Sequence, residues 1–291
     1  FIDSYFFMVN AGCKINAGRF IKIHRNGIKC RADTHDVTLQ NLTIENASGD
    51  SLTHGQAIAL YADGDRLVID SCRLIGHQDT LFTGPLPPKE IEPDGFIGPK
   101  QFAPRINGRQ YYKNCYICGD IDFIFGSATA YFENCVIESL CHTTNVNDIQ
   151  GYITAASTPE SQEYGYVFSN CKLISKDCPP NSVYLGRPWR NYAKTVFLEC
   201  ALGNHIHECG FHDWKKEDAR NTVLYAEYRN YPASSADTTS NNRSLNDDIH
   251  CIDGRCIPYP HRAEYVCELD AVQAEHFSKE NVLSGADHWN P

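Results

Sequence analysis

Three short segments of this 291-residue chain carry the groups best suited to chemistry. Gly76-His77-Gln78-Asp79-Thr80-Leu81-Phe82 sets an amide beside a carboxylate directly after a strand-like run. In Gly119-Asp120-Ile121-Asp122-Phe123-Ile124-Phe125-Gly126, Asp122 lies inside an apolar stretch, where a carboxylate needs a cation or a proton. Tyr184-Leu185-Gly186-Arg187-Pro188-Trp189-Arg190 offers Arg187 as that cation beside a flat aromatic, Trp189. A guanidinium suits the task because it grips a carboxylate through two parallel hydrogen bonds. Two carboxylates in unlike surroundings can divide the work of acid and of base or nucleophile. Plainer readings exist for each: Asp79 as a turn residue, and Asp122 with Arg187 as an ion pair that only holds structure.

The elements that would position these groups are legible as a repeat. Two or three apolar residues, then Asn, Ser or Glu, then Cys, then another apolar pair recur at Val68–Leu74, Tyr111–Ile117, Tyr131–Ile137, Val167–Leu173 and Val196–Leu202. Val37–Ile44 is a sixth copy with Leu42 in place of Cys. The Cys-to-Cys steps are 43, 20, 36 and 29 residues, irregular but consistent with one supersecondary unit and loops of varying length. Each unit reads as a short strand pair joined at a bend, and stacking such units places like residues over like in an all-β parallel solenoid. Cys72, Cys115, Cys135, Cys171 and Cys200 are then small interior hydrophobes and not ligands or bridges. Asp79 and Asp122 fall in adjacent coils, on one face.

Two stretches leave the pattern. Residues 83–108 hold six of the 14 prolines and four glycines, and read as a long ordered loop. Residues 232–262, rich in Ser, Thr, Asn and Asp, read as a surface excursion. Beyond it Asp270 and Gln273 have the form of a helix N-cap, opening a short helix to about residue 281 that would cover an end of the stack. The whole of 1–291 is thus read as a single domain.

Composition limits the partners. Lys plus Arg is 26 against 36 for Asp plus Glu, a net charge of −10 that is the wrong sign for a nucleic-acid binder. No apolar run reaches 18 residues, so no membrane-spanning helix is expected. The 14 cysteines show no paired CxxC zinc arrangement. Cys251 with Cys256, or Cys13 with Cys30, could pair, with connectivity open. The chain opens at Phe1 without a visible leader peptide.

At this point Gly-His-Gln-Asp-Thr-Leu-Phe at 76–82, Asp-Phe-Ile-Phe-Gly at 122–126 and Leu-Gly-Arg-Pro-Trp at 185–189 resemble the signature segments of the pectin methylesterases, in that family's order. Gln56-Ala57-Ile58-Ala59-Leu60 resembles a fourth, and the likeness covers roughly residues 35–230, with a weaker echo at 280–291. It implies a right-handed parallel β-helix and hydrolysis of galacturonate methyl esters in pectin, without a metal or organic cofactor. By the match Asp122 is the nucleophile and Asp79 the acid and then base, Arg187 orients Asp122, and Gln56 and Gln78 donate to the oxyanion. Phe125 and Trp189, with Ile121, Phe82 and Trp214, form the sugar-binding wall. Pectin is the expected partner and a monomer the expected state.

Departures from the family pattern are visible. Phe82 stands where Tyr is common, which would remove a hydroxyl near the site, and His77 replaces an aromatic residue. The long 83–108 loop would reshape one end of the groove. The family's first coils have no counterpart before Phe1, and residues 11–33 read as an insertion, leaving an edge to be covered. His205, His207, Glu208, Cys209 and His212 are ligand types, but their spacing fits no standard zinc motif. A polygalacturonase or pectate lyase, or a non-catalytic pectin-binding β-helix, are the competing readings. The acidic balance favours highly methylated, nearly neutral pectin and scattered action along it. Pectin as substrate favours secretion or the cell wall, whereas interior cysteines and the missing leader fit the cytoplasm.

Overall fold

The computed structural model describes residues 7–8, 14–16, 20–23, 30–32, 34–91, 93, 95–96, 100–233 and 261–291. The strands form three parallel sheets, ordered by steps of three along the chain up to Ala201–Leu202 and by steps of two beyond it. The first holds Phe7–Met8, Cys30–Ala32, Leu60–Ala62, Leu81–Thr83, Ile121–Gly126, Gly151–Ala156 and Val183–Pro188. The second runs from Lys14–Asn16 through Val37–Gln40 to Val266–Glu268, and the third from Phe20–Ile23 to Tyr231–Pro232. As far as Val183–Pro188 each turn of chain adds one strand to every sheet, and the fold is a right-handed parallel β-helix. The repeat unit is therefore three strands, where the sequence pattern suggested two. Within 11–33, read from sequence as an insertion, the described strands Lys14–Asn16, Phe20–Ile23 and Cys30–Ala32 pair in register with Val37–Gln40, Thr43–Asn46 and Leu60–Ala62, as successive coils do.

The recurring Asn/Ser/Glu-Cys step is the corner between the second and third sheets. Asn41, Ser71, Asn114, Asn134, Asn170 and Glu199 all take φ between 52° and 55°. This left-handed backbone is most accessible to Asn among side-chain-bearing residues. The corner N–H groups donate to the next coil, Asn114 to the Glu133 carbonyl and Asn134 to that of Ser169. The residue after each turns inward: all five cysteines and Leu42 are at most 2% exposed. Their thiols donate to carbonyls of their own strand and of the preceding coil, as Cys171 does to Ser169 and Phe132. Burial pushes the Cys115, Cys135 and Cys171 thiols far up, so they remain protonated.

The interior repeats as the corners do. Tyr112, Phe132, Phe168 and Phe197 stack face to face along the axis at 4.6, 4.4 and 4.5 Å, in successive registered positions of the second sheet. The 84–108 segment between Thr83 and Arg109 contains no strand or helix among its described residues.

The expected cap at Asp270 forms: its carboxylate accepts from Gln273 N at 2.8 Å and the Gln273 side-chain Oε1 accepts from Asp270 N at 2.9 Å. The helix divides into Ala271–Glu275 and Lys279–Leu283. Ala274, Phe277, Val282 and Leu283 bury against Tyr111, Tyr131, Val167 and Val196 on the outer face of the second sheet. The helices thus lie along several coils and not across an end of the stack. A charged clasp fastens them: Arg109 binds Asp65 and Asp287 at 2.8 and 2.9 Å, and Arg66 reaches Asp287 at 3.2 Å. Most of 232–262, with Cys251 and Cys256, lies outside the described residues, as does Cys13.

Candidate functional site

The first sheet carries the candidate chemistry on its outer face. Registered pairing lines up Tyr61, Phe82, Phe125, Ala155 and Arg187 as one row across five coils. Ala155, the smallest side chain of the row, stands between Phe125 and Arg187. Ile121–Gly126 has a register shift between Ile121 and Ile124, and this irregularity presents Asp122 at the row. Gly126, at φ 131°, closes the strand where a Cβ would come within 2.0 Å of the Thr83 carbonyl oxygen. Asp79 and Asp122 take φ of 63° and 50°, left-handed backbone in both. Such conformations cost on the order of 1 kcal/mol and concentrate at working sites.

Arg187 Nε and Nη2 each donate to one Asp122 carboxylate oxygen at 2.8 Å, a bidentate pair between largely buried partners. The guanidinium lies between two rings, 3.9 Å from the Tyr152 centroid and 3.7 Å from that of Trp214, which fixes its plane. Burial pushes the Asp122 carboxyl up, while Arg187 and Lys216 pull against it. Burial, joined by the Asp122 charge, pushes Asp79 well above the usual carboxylate range, with Arg187 opposing. Among the described residues Asp79 has no guanidinium of its own, so of the two it holds the proton and Asp122 the charge.

This asymmetry sets a stability test. The fold binds a proton at Asp79 that the unfolded chain loses near pH 3.8, so Asp79 subtracts stability as pH rises through the interval between its unfolded and folded values. Asp79→Asn, suited to the same backbone, is expected to melt above the parent at neutral pH, with the difference closing below pH 3.8. Thermal melts at the two pH values read it, and an offset independent of pH would contradict the assignment.

A cavity of about 410 Å³ opens over the pair, lined by Gln56, Asp79, Asp122, Phe125, Ala155, Trp189 and Trp214, among others. Six of the residues singled out from sequence therefore meet there: Gln56, Asp79, Asp122, Phe125, Trp189 and Trp214. Arg187 joins them through Asp122. Gln78 and Ile121 are half-buried and outside the lining. Phe82 does not face the cavity. It is 1% exposed, wedged between Tyr61 at 4.6 Å and Phe125 at 5.0 Å, and backs the wall without forming its surface. His77 is half-buried, with Nδ1 3.4 Å from a carboxylate oxygen of the buried Asp120. His207 stacks on Tyr184 at 4.2 Å, and His212 meets Tyr152 and Tyr184 edge-on.

Sequence reasoning missed six lining residues, Ile91, Gly95, Phe96, Ala155, Arg190 and Lys216. Ile91 and Phe96 come from the 84–108 loop, and Phe96 packs edge-on to Trp189 at 6.3 Å. Arg190 ties the loop down by donating to the Lys89 carbonyl at 2.9 Å. A proline-rich segment carries no periodic cue that would aim particular side chains, whereas Arg190 at least adjoins the 185–189 motif.

Fold and site together define a parallel β-helix with a two-aspartate, arginine-held centre. Within that class, residues 105–247 match the Pectinesterase family model. Pectinesterase 31 of Arabidopsis thaliana is 34% identical over 216 residues, 73% of this chain and 58% of that protein. The chain thus spans little more than half the length of that curated relative. A pectin methylesterase of Erwinia chrysanthemi superposes with a TM-score of 0.60 at 26% identity, over 91% of this chain and 73% of that one. The carrot pectin methylesterase shares the fold with a TM-score of 0.68 at 21% identity, over 92% and 74%. By sequence and by fold, the chain is a relative of the pectin methylesterases.

Proposed function

We propose that this chain hydrolyses the methyl esters of galacturonate units in pectin, releasing methanol and leaving the polymer backbone intact. The observation that carries the reading is the unequal acid pair, with Asp122 gripped by Arg187 and Asp79 buried with no ion-pair partner among the described residues. An ionised carboxylate is a nucleophile, and a protonated neighbour is the acid that a methoxide leaving group requires.

The steps follow from these states. Asp122 attacks the ester carbonyl carbon, and charge develops on the carbonyl oxygen. The side-chain amides of Gln56, on the cavity wall, and Gln78, next to Asp79, have N–H groups to donate to that oxygen. The tetrahedral adduct collapses, the C–O bond to the methoxy group breaks, and the Asp79 proton leaves with it as methanol. Ionised Asp79 then takes a proton from water, the hydroxide adds to the acyl carbon, and Asp122 departs as carboxylate. Both acids regain their starting states. Phe125, Trp189 and Trp214 offer flat apolar faces against which sugar rings can pack.

Methyl-esterified pectin incubated with the chain is expected to yield methanol with no fall in polymer length by size-exclusion chromatography. Shortening of the polymer would favour a depolymerase, and binding without methanol would favour a non-catalytic β-helix.

A further inference from the structure

Lys216 enters the cavity on the irregular segment that follows Trp214. Its ammonium donates to the Pro188 and Trp189 carbonyls at 2.7 and 3.1 Å and lies 4.5 Å from the Trp214 ring centroid. Arg190 stands beside it on the lining, with Nη1 on the Trp189 carbonyl at 2.9 Å. Among the described residues neither cation forms a salt bridge with a carboxylate. Burial and the neighbouring Arg190 and Arg187 draw the Lys216 ammonium down to about 8, so the fold holds a third cation in a place that works against it.

The local charge is the reverse of the global one. Arg187 is engaged by Asp122, whereas Arg190 and Lys216 stand on the lining with no carboxylate within ion-pair distance among the described residues, in a chain of net charge −10. Charge within a few ångströms of a ligand dominates charge spread over a screened surface, since screening sets in over roughly 8–10 Å. A neutral methyl ester makes no use of these two cations.

We infer that Lys216, with Arg190, forms a carboxylate-binding subsite that takes a free uronate carboxylate on the same polymer as the ester being cleaved. The proposal rests on the pectin reading above and deepens it: the preferred substrate is a partly de-esterified chain, contrary to what the net charge suggests. A flexible ammonium anchored on two main-chain carbonyls supplies a charge that is fixed in place yet indifferent to the exact angle of the incoming carboxylate.

The experiment measures binding of a fully de-esterified oligogalacturonide by calorimetry, beside methanol release from half-methylated and highly methylated pectin. Parent, Lys216→Met, Lys216→Gln, Lys216→Arg and the exposed neighbour control Lys215→Met are compared. Loss of the charge is expected to weaken oligogalacturonide binding about tenfold and to raise KM on half-methylated pectin by a similar factor, with kcat changing less. Lys216→Arg restores most of the affinity, and Lys215→Met behaves as the parent. Lys216→Gln keeps donors for the two carbonyls, so a folded charge deletion is available even if the Met variant is unstable. Equal affinity of the parent and a folded charge-deleted variant, or no oligogalacturonide binding by the parent, overturns the subsite. If the parent binds and the variants weaken as expected but no methanol appears, the subsite stands and the esterase reading fails.

Discussion

Asp122→Asn is expected to lower methanol release from methyl-esterified pectin by at least about a thousandfold, the loss typical of removing a nucleophile. The substitution is close to isosteric, and Asn tolerates the 50° φ at this position as well as Asp does. What changes is charge and one acceptor. The amide offers a single oxygen to the Arg187 fork, so one of the two 2.8 Å bonds is lost and the guanidinium remains buried without its counter-charge. Stacking against Tyr152 and Trp214 keeps Arg187 in position. The variant should fold, with lower stability, because removing one partner of a buried pair is strongly destabilising. Circular dichroism establishes the fold and a methanol assay the rate; undiminished release from a folded variant would remove Asp122 from the nucleophile's role.

The second large effect concerns the interior. Phe168→Ala is expected to destabilise the fold by about 3–5 kcal/mol, read as a shift of the urea midpoint. Phe168 is fully buried and sandwiched between Phe132 at 4.4 Å and Phe197 at 4.5 Å, so truncation removes two ring contacts and opens a void that fixed backbone cannot close. In a solenoid each coil touches only its neighbours, so a hole at mid-stack weakens two interfaces at once. A change under about 1 kcal/mol would mean that the column relaxes into the gap.

The corners were legible because each poses the same two demands, a residue that accepts left-handed backbone and a small group that can be buried. Asn-Cys satisfies both wherever it occurs. A seventh corner escaped notice because Arg229, at φ 50°, and Asn230 meet the demands differently. The Asn230 side chain accepts from Cys200 N at 2.9 Å and donates to Glu227 at the same distance, where the other coils bury a thiol. The first-sheet strands were missed as members of the repeat for a related reason. Their outward residues serve the cavity, so Phe125, Ala155 and Arg187 share a row but no chemistry that a periodic reading could detect. Asp79, Asp122 and Arg187 were found through unusual local context, an acid in an apolar run or a cation beside a flat ring. Lys216 has no such context, since two lysines before an acidic turn look like any solvated surface, and only the fold brings it beside Arg190.

The clasp at Asp287 can close only after a long stretch of chain has been made. A growing chain can stack its coils one by one as they leave the ribosome, and residues 37–113 are available long before the helices that brace them. Arg66 and Arg109 wait through the synthesis of some 170 to 220 further residues for Asp287. Until then Tyr111 and Tyr131 lack the Val282 and Leu283 contacts that cover them. These late-made braces fasten coils made far earlier in the chain, so the outer face of the second sheet passes through an exposed and aggregation-prone interval before they dock.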